Sequence, residues 1–309
     1  MRKNLVGGAR QPLVFACACA LVCVAASCAS AQSSPQSKPS ASSQPPGAPL
    51  LTRTTTRQEV RRFAYGGTLT ISGAPVGSIT VEAWPRAELD VTADIELQAN
   101  TEEDLARLAA VNNFLLDADG SHFRVITTGT HDRKFMKRAK DFPKPLLAMP
   151  WRIDYHVRVP AMVDLEITSG RGALTVEGVE GALQLTAGES NASLTLAGGD
   201  VVATILSGSV LFRVPAPSWR GRGAQLRLVR GTLTVALPAN FNADVDATVL
   251  RAGEIAGAHD AFAPREGEPP QTARAWHVRA GGGGASLRFE VGDGAIRFAQ
   301  LGEEKPKQQ

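Results

Sequence analysis

The chain has 309 residues, with 33 Lys and Arg against 30 Asp and Glu, 43% hydrophobic residues, 30 Gly, and only two Tyr beside eleven Phe. A core must then be built from Leu, Val, Ile and Ala, in pieces cut short by glycine. All four cysteines, Cys17, Cys19, Cys23 and Cys28, lie near the start, which excludes disulfides, cysteine nucleophiles and thiol redox chemistry from the chain beyond them.

Residues 1–31 read as an export signal: Arg2, Lys3 and Arg10 precede or enter an apolar run from Leu13 to Ala26, followed by small residues. That run falls short of the roughly 20 apolar residues of a membrane span. Ala29-Ser30-Ala31 places cleavage before Gln32, whereas Ala25-Ala26-Ser27-Cys28 resembles a bacterial lipoprotein motif with Ala where Leu is usual, which would make Cys28 a lipidation site. The expected location is therefore exported: periplasm, outer-membrane surface or secreted. Loss of Arg2, Lys3 and Arg10 leaves 30 basic against 30 acidic side chains, so the mature chain has no net positive field to draw in nucleic acid.

Residues 32–52, with QSSPQSKPSASSQPPGAP, are too polar and Pro-rich to bury a core and read as a disordered tether. Residues 53–301 form the expected folded domain, and 302–309 a disordered tail. Through the domain one phrase recurs: GTLTIS at 67, GSITVE at 77, GALTVEG at 172, GALQLTAG at 181, ASLTLAG at 192, GSVLFRV at 208, GTLTVALP at 231 and GAIRFA at 294. Apolar residues alternate with Thr, Gln, Glu or Arg, so each phrase is a short strand with one buried and one wet face. A spacing of nine to eleven residues leaves no room for helices between strands. An antiparallel meander or sandwich and a β-solenoid both satisfy that spacing, and the self-similarity of the phrases favours the solenoid. Thr101 to Leu116, TEEDLARLAAVNNFLL, breaks the pattern. Thr at the start, acids in the first turn and Leu at 105, 108 and 115 predict one short amphipathic helix packed on the first strands.

The blocks GTLTISGAPVGSITVEAW, YHVRVPAMVDLEITSGRGALTVEGVEGALQLTAG, RGTLTVALPANFNADVDATVLRAGEI and GGGGASLRFEVGDGAI stand in an order that resembles the exported bacterial putative-adhesin family of β-strand repeats, a family of unknown function. The resemblance covers about residues 63–301. It implies a mainly β, solenoid-like, noncatalytic extracytoplasmic domain and supplies no catalytic residues. The chain departs from the pattern in a long basic insertion and in GESNAS after Ala187.

No catalytic, metal or cofactor-binding residue, and no cofactor, is expected. His122, His131, His156, His259 and His277 are scattered, without the paired spacing of a zinc site, and His156 alternates with Tyr155 and Val157 as a wet-face strand residue would. Gly281 to Gly284 precede a strand-like SLRFEV, where a phosphate loop would need a helix, and read as a turn. GGD at 198–200 is an incomplete calcium nonapeptide. A carbohydrate-active enzyme on a β-helix would need converging acids; Glu166, Glu177, Glu180, Glu189 and Asp200 read first as solvated faces.

The least ordinary stretch is HDRKFMKRAKDFPKPLLAMPWR at 131–152, with seven basic residues against Asp132 and Asp141 and with Phe135, Met136, Phe142 and Trp151 interleaved. Its candidate anionic-surface patch is Arg133, Lys134, Lys137, Arg138, Lys140, Lys144, Trp151 and Arg152. A second basic run, Arg213 to Arg230, contains Trp219 and would join the first if the fold brought them together. The expected role is noncatalytic: cell-envelope binding, adhesion or structural support, with a glycan, an envelope surface or a protein as partner and no nucleic acid. The alternatives are the carbohydrate-active enzyme and a sensing partner of an envelope regulator.

Overall fold

The glycine-flanked phrases fold in pairs. In the computed structural model, which describes residues 49–139 and 141–301, two successive phrases join into one long bent strand. The chain runs β1 (Leu51–Arg62), β2 (Thr68–Val76), β3 (Ile79–Trp84), β4 (Glu88–Ala99), α1 (Glu102–Val111), β5 (Asn113–Asp119), β6 (His122–Thr128), α2 (Arg133–Met136), a 3-10 turn (Lys144–Ala148) and β7 (Trp151–Pro160). It continues through β8 (Asp164–Glu177), β9 (Ala182–Thr195), β10 (Gly198–Arg213), β11 (Arg220–Pro238), β12 (Ala243–Gly257), β13 (Phe262–Pro264), β14 (Ala275–Ala280) and β15 (Ser286–Leu301). The protein is mainly β, with 15 strands in one hydrogen-bonded sheet ordered β1-β4-β7-β3-β8-β9-β10-β11-β15-β12-β14-β13, and with β2, β5 and β6 off that path.

From β8 to β10 the stack is parallel and in register at a step of 18 residues: Leu165 pairs with Leu183, and Leu183 with Val201. One turn of the coil therefore holds two phrases, so the spacing read from sequence is half a coil. Each half-strand points its apolar residues inward, Leu165 and Ile167 then Leu174 and Val176 in β8, and Leu183 and Leu185 then Ala192 and Leu194 in β9. All belong to one continuous core cluster. Gln184 and Thr186 are exposed between them, as the alternation requires.

The bend sits on a column of small residues. Gly172 pairs with Ser190 across β8 and β9, and Gly208, Gly231 and Gly294 pair in turn across β10, β11 and β15. At Gly231 the reason is explicit: φ is +138°, and a Cβ there would fall 1.9 Å from the Gly208 carbonyl oxygen. There a glycine lets the strand turn a corner without breaking its ladder. Ser190, within the GESNAS stretch, takes this place in β9. It is 4% exposed, and its hydroxyl donates to the Gly172 carbonyl at 2.8 Å.

The order of stacking departs from chain order at both ends. β15 is inserted between β11 and β12, parallel to both, and β14 closes that end antiparallel to β12. At the other end β2 and β3 form two halves of a coil below β8; β6 lies parallel to β2 and β7 to β3, and then β5, β4 and β1 turn antiparallel. Two expectations need correction. Helix α1 ends at Val111, because from Asn113 the chain pairs with β6; Leu115, expected on the helix, is a strand residue 54% exposed. Two consecutive asparagines favour local backbone hydrogen bonding over helix continuation. The N-terminus behaves as read, with the Thr101 hydroxyl accepting the Asp104 N–H at 3.1 Å and Leu105 and Leu108 fully buried. The single helix expected is also joined by α2 and the 3-10 turn, both inside the basic insertion.

Candidate functional site

In the higher coils a corner takes a few residues. Between β6 and β7, the two halves of the lowest coil, it takes residues 129–150. The insertion is anchored by its apolar residues: Leu146 is 4% exposed, and Phe142, Met149 and Trp151 pack against the core. Asp132 caps α2, its Oδ1 accepting the Lys134 N–H at 2.8 Å and the Phe135 N–H at 3.1 Å. Those two backbone bonds hold the Asp132 carboxyl below the usual carboxylate range. The carboxylate is thus spent on the backbone of its own turn.

This leaves the cations outermost. Arg133, Lys134, Lys137, Arg138 and Lys144 are all exposed, and none makes an ion pair among the described residues. Most other arginines do: Arg158 with Asp90, Arg171 with Glu189 at 2.8 Å, Arg251 with Asp293 at 2.5 Å and Arg279 with Asp244 at 2.8 Å. Two members of the expected patch are engaged elsewhere. Arg152 pairs with Asp154 at 2.6 Å, and Trp151 is half-buried with its ring 5.4 Å from that of His131. Burial lowers the His131 pKa against the pull of Asp132. Lys140 and Cys28 lie outside the described residues. Between α1 and the insertion, Arg107, Ala110, Val111, Ala139, Phe142 and Pro143 line an open cavity of about 470 Å³.

The second basic run does not join the first. β3, β8, β9 and β10 lie between β7 and β11 in the sheet order. Three of its five charges are also matched by acids of neighbouring coils, Arg220 with Glu180 at 2.6 Å, Arg222 with Asp200 at 2.5 Å and Arg227 with Glu290 at 2.8 Å. Trp219 is buried, its Nε1–H donating to the Gly199 carbonyl at 3.0 Å. The acids considered for hydrolysis are spread in the same way: Glu166 accepts from Thr70, Glu189 pairs with Arg171, and Glu177 is exposed. The histidines stay apart, His156 outward against Glu82 and His259 buried against the Leu237 carbonyl. Among the described residues no three His, Cys, Asp or Glu side chains converge as a metal site, and no helix is long and apolar enough to cross a membrane.

Sequence reading missed one arrangement, at the opposite end of the stack. The Asp246 carboxylate accepts from Arg265 Nη2 at 2.7 Å and His277 Nδ1 at 2.8 Å. Residues 246, 265 and 277 converge only through the antiparallel pairing of β12 with β14 and the return of the loop after β13, which no local spacing reveals.

The chain matches no family model and no curated protein sequence. Among solved structures it is similar to a putative cell adhesion protein from Clostridium sporogenes, with 12% identity and a TM-score of 0.38 over 80% of this chain and 100% of that one. It is also similar to a putative adhesin from Bacteroides fragilis, with 9% identity and a TM-score of 0.28 over 80% and 97% of the two chains. A putative lipid binding protein from Parabacteroides distasonis gives 11% identity and a TM-score of 0.19 over 79% and 96%.

Proposed function

We propose that the protein is a noncatalytic, exported envelope protein whose basic insertion docks on an anionic surface. The observation that supports this reading is the set of five exposed cations at one corner, Arg133, Lys134, Lys137, Arg138 and Lys144, without ion pairs among the described residues on a chain whose other arginines are largely paired. An unpaired cation keeps its field for a partner, and each Lys or Arg near an anionic membrane contributes about 1 kcal/mol. The apolar anchor formed by Phe142, Leu146 and Met149 fixes the insertion to the core, so the charges are presented on a supported turn.

The test is partitioning of the purified protein onto vesicles of phosphatidylglycerol in phosphatidylcholine. Lys134→Gln, Lys137→Gln, Arg138→Gln and Lys144→Gln together should weaken binding by up to about 4 kcal/mol, and salt should weaken the unmodified protein in the same direction. Equal partitioning of the two proteins at every salt concentration would refute the reading.

A further inference from the structure

We propose that the outward face of β10, β11, β15 and β12 carries a second site, centred on Arg288, for a carboxylate-bearing saccharide. Arg288 is exposed on β15 and flanked by Gln225 of β11 and Asp246 of β12, with which it is in register. Asp246 would be its natural partner, but that carboxylate is already held by Arg265 and His277. Every other arginine bordering the site is paired too: Arg222 with Asp200, Arg227 with Glu290 and Arg265 with Asp246. Arg288 makes no ion pair among the described residues. Its guanidinium is left as a free planar fork, suited to two parallel hydrogen bonds to a carboxylate.

The space around it has the shape for more than a simple anion. Arg288 forms a wall of two open cavities, of about 220 and 320 Å³. Gly223, in register with Asp200 on one side and Ser286 on the other, forms part of the wall of the first. Its lining includes Val202, Gln225 and Ser286. Val202 is 45% exposed and stands between Gln184 and Gln225 in an otherwise polar column, so it offers a small apolar patch beside amide and hydroxyl groups. The second cavity adds Thr248, Glu268 and His277. Planar polar groups around a small apolar patch, with one unpaired guanidinium, are the means of recognising ring hydroxyls and a ring carboxylate together. This site is separate from the basic insertion, three strands lying between β7 and β10.

The test is calorimetric titration of the purified protein with an oligogalacturonate, with the matching neutral hexose oligomer and with acetate. The proposal expects saturable binding of the oligogalacturonate, at least tenfold weaker in Arg288→Gln and in Val202→Glu. Both substitutions are at exposed positions, and an unchanged urea midpoint would show the fold intact. The insertion variant with four glutamines should bind the sugar normally, so failure here and failure of the membrane reading are distinguishable. Absence of saturable binding, retention of full affinity in Arg288→Gln with the fold intact, loss of binding in the insertion variant, or equal affinity for acetate or the neutral oligomer would each overturn the proposal.

Discussion

Replacing Gly231 with Ala tests the corner column at its most constrained point. Two costs act together. At φ +138° an alanine sits where side chains are rarely tolerated, and its Cβ would lie 1.9 Å from the Gly208 oxygen, an atom of the neighbouring backbone that cannot rotate aside. The conformational cost alone is about 1–2 kcal/mol and forced repacking adds about 1–3 kcal/mol, so the expected loss is about 2–5 kcal/mol. Gly267→Ala separates the two, since Gly267 has φ +80° but nothing within 4 Å of the added Cβ, and should cost only the first of them. Urea unfolding followed by far-ultraviolet circular dichroism would read both as midpoint shifts at constant slope. Amide exchange would show the Gly231 loss reaching β10 and β15 on either side. Equal losses in the two variants would refute the argument that backbone contact between coils sets the corner.

Other consequences are as direct. Leu185→Ala, at a position 1% exposed, should cost about 2–5 kcal/mol, whereas Gln184→Lys on the wet face of the same strand should stay within about 0.5 kcal/mol in urea unfolding. Asp246 gives a pH test. Burial pushes its carboxyl up, but hydrogen bonds from His277 and Arg265 and the Arg265 charge outweigh this and leave it below the usual range. A depressed folded pKa contributes stability that is present above the unfolded value of about 3.9 and is lost as pH falls through the folded value. The stability gap between the unmodified protein and Asp246→Asn should therefore shrink as pH falls below about 4; a gap that stayed constant or grew there would refute the assignment. The neighbouring charged groups Arg288, Glu268 and Glu290 are common to both proteins, so the comparison isolates Asp246 together with its bonds to Arg265 and His277.

The mainly β character and the inward and outward faces were legible because period-two alternation is local: Leu183, Gln184, Leu185 and Thr186 declare their sides within four residues. The 18-residue coil was not, because a glycine at a bend and a glycine at a strand end look alike in sequence. Only the pairing of Gly172 with Ser190 and Gly208 with Gly231 shows that the ladder runs through the corner. The end of α1 was missed for a related reason, since Phe114 serves a strand facing β6 as readily as a helix facing the core. The insertion's cations were visible as composition. Which of them stay unpaired depended on contacts such as Arg152 with Asp154 and the Asp132 cap. The surroundings of Arg288 were hidden altogether, because the insertion of β15 between β11 and β12 has no signal in the order of the phrases.

The 18-residue step also governs how such a protein can change length over generations. Asp200 occupies in β10 the position that Ala182 occupies in β9. Excising residues 182–199 would therefore join Gly181 to Asp200 with every later side chain still facing its former side, and would remove from the corner column its one serine. Loss of an odd number of residues within a strand would instead turn each following leucine toward water. Whole coils are thus the unit in which heredity can lengthen or shorten this molecule, while the closing strands at either end, which run against the stack, are fixed fittings that a growing or shrinking middle leaves unchanged.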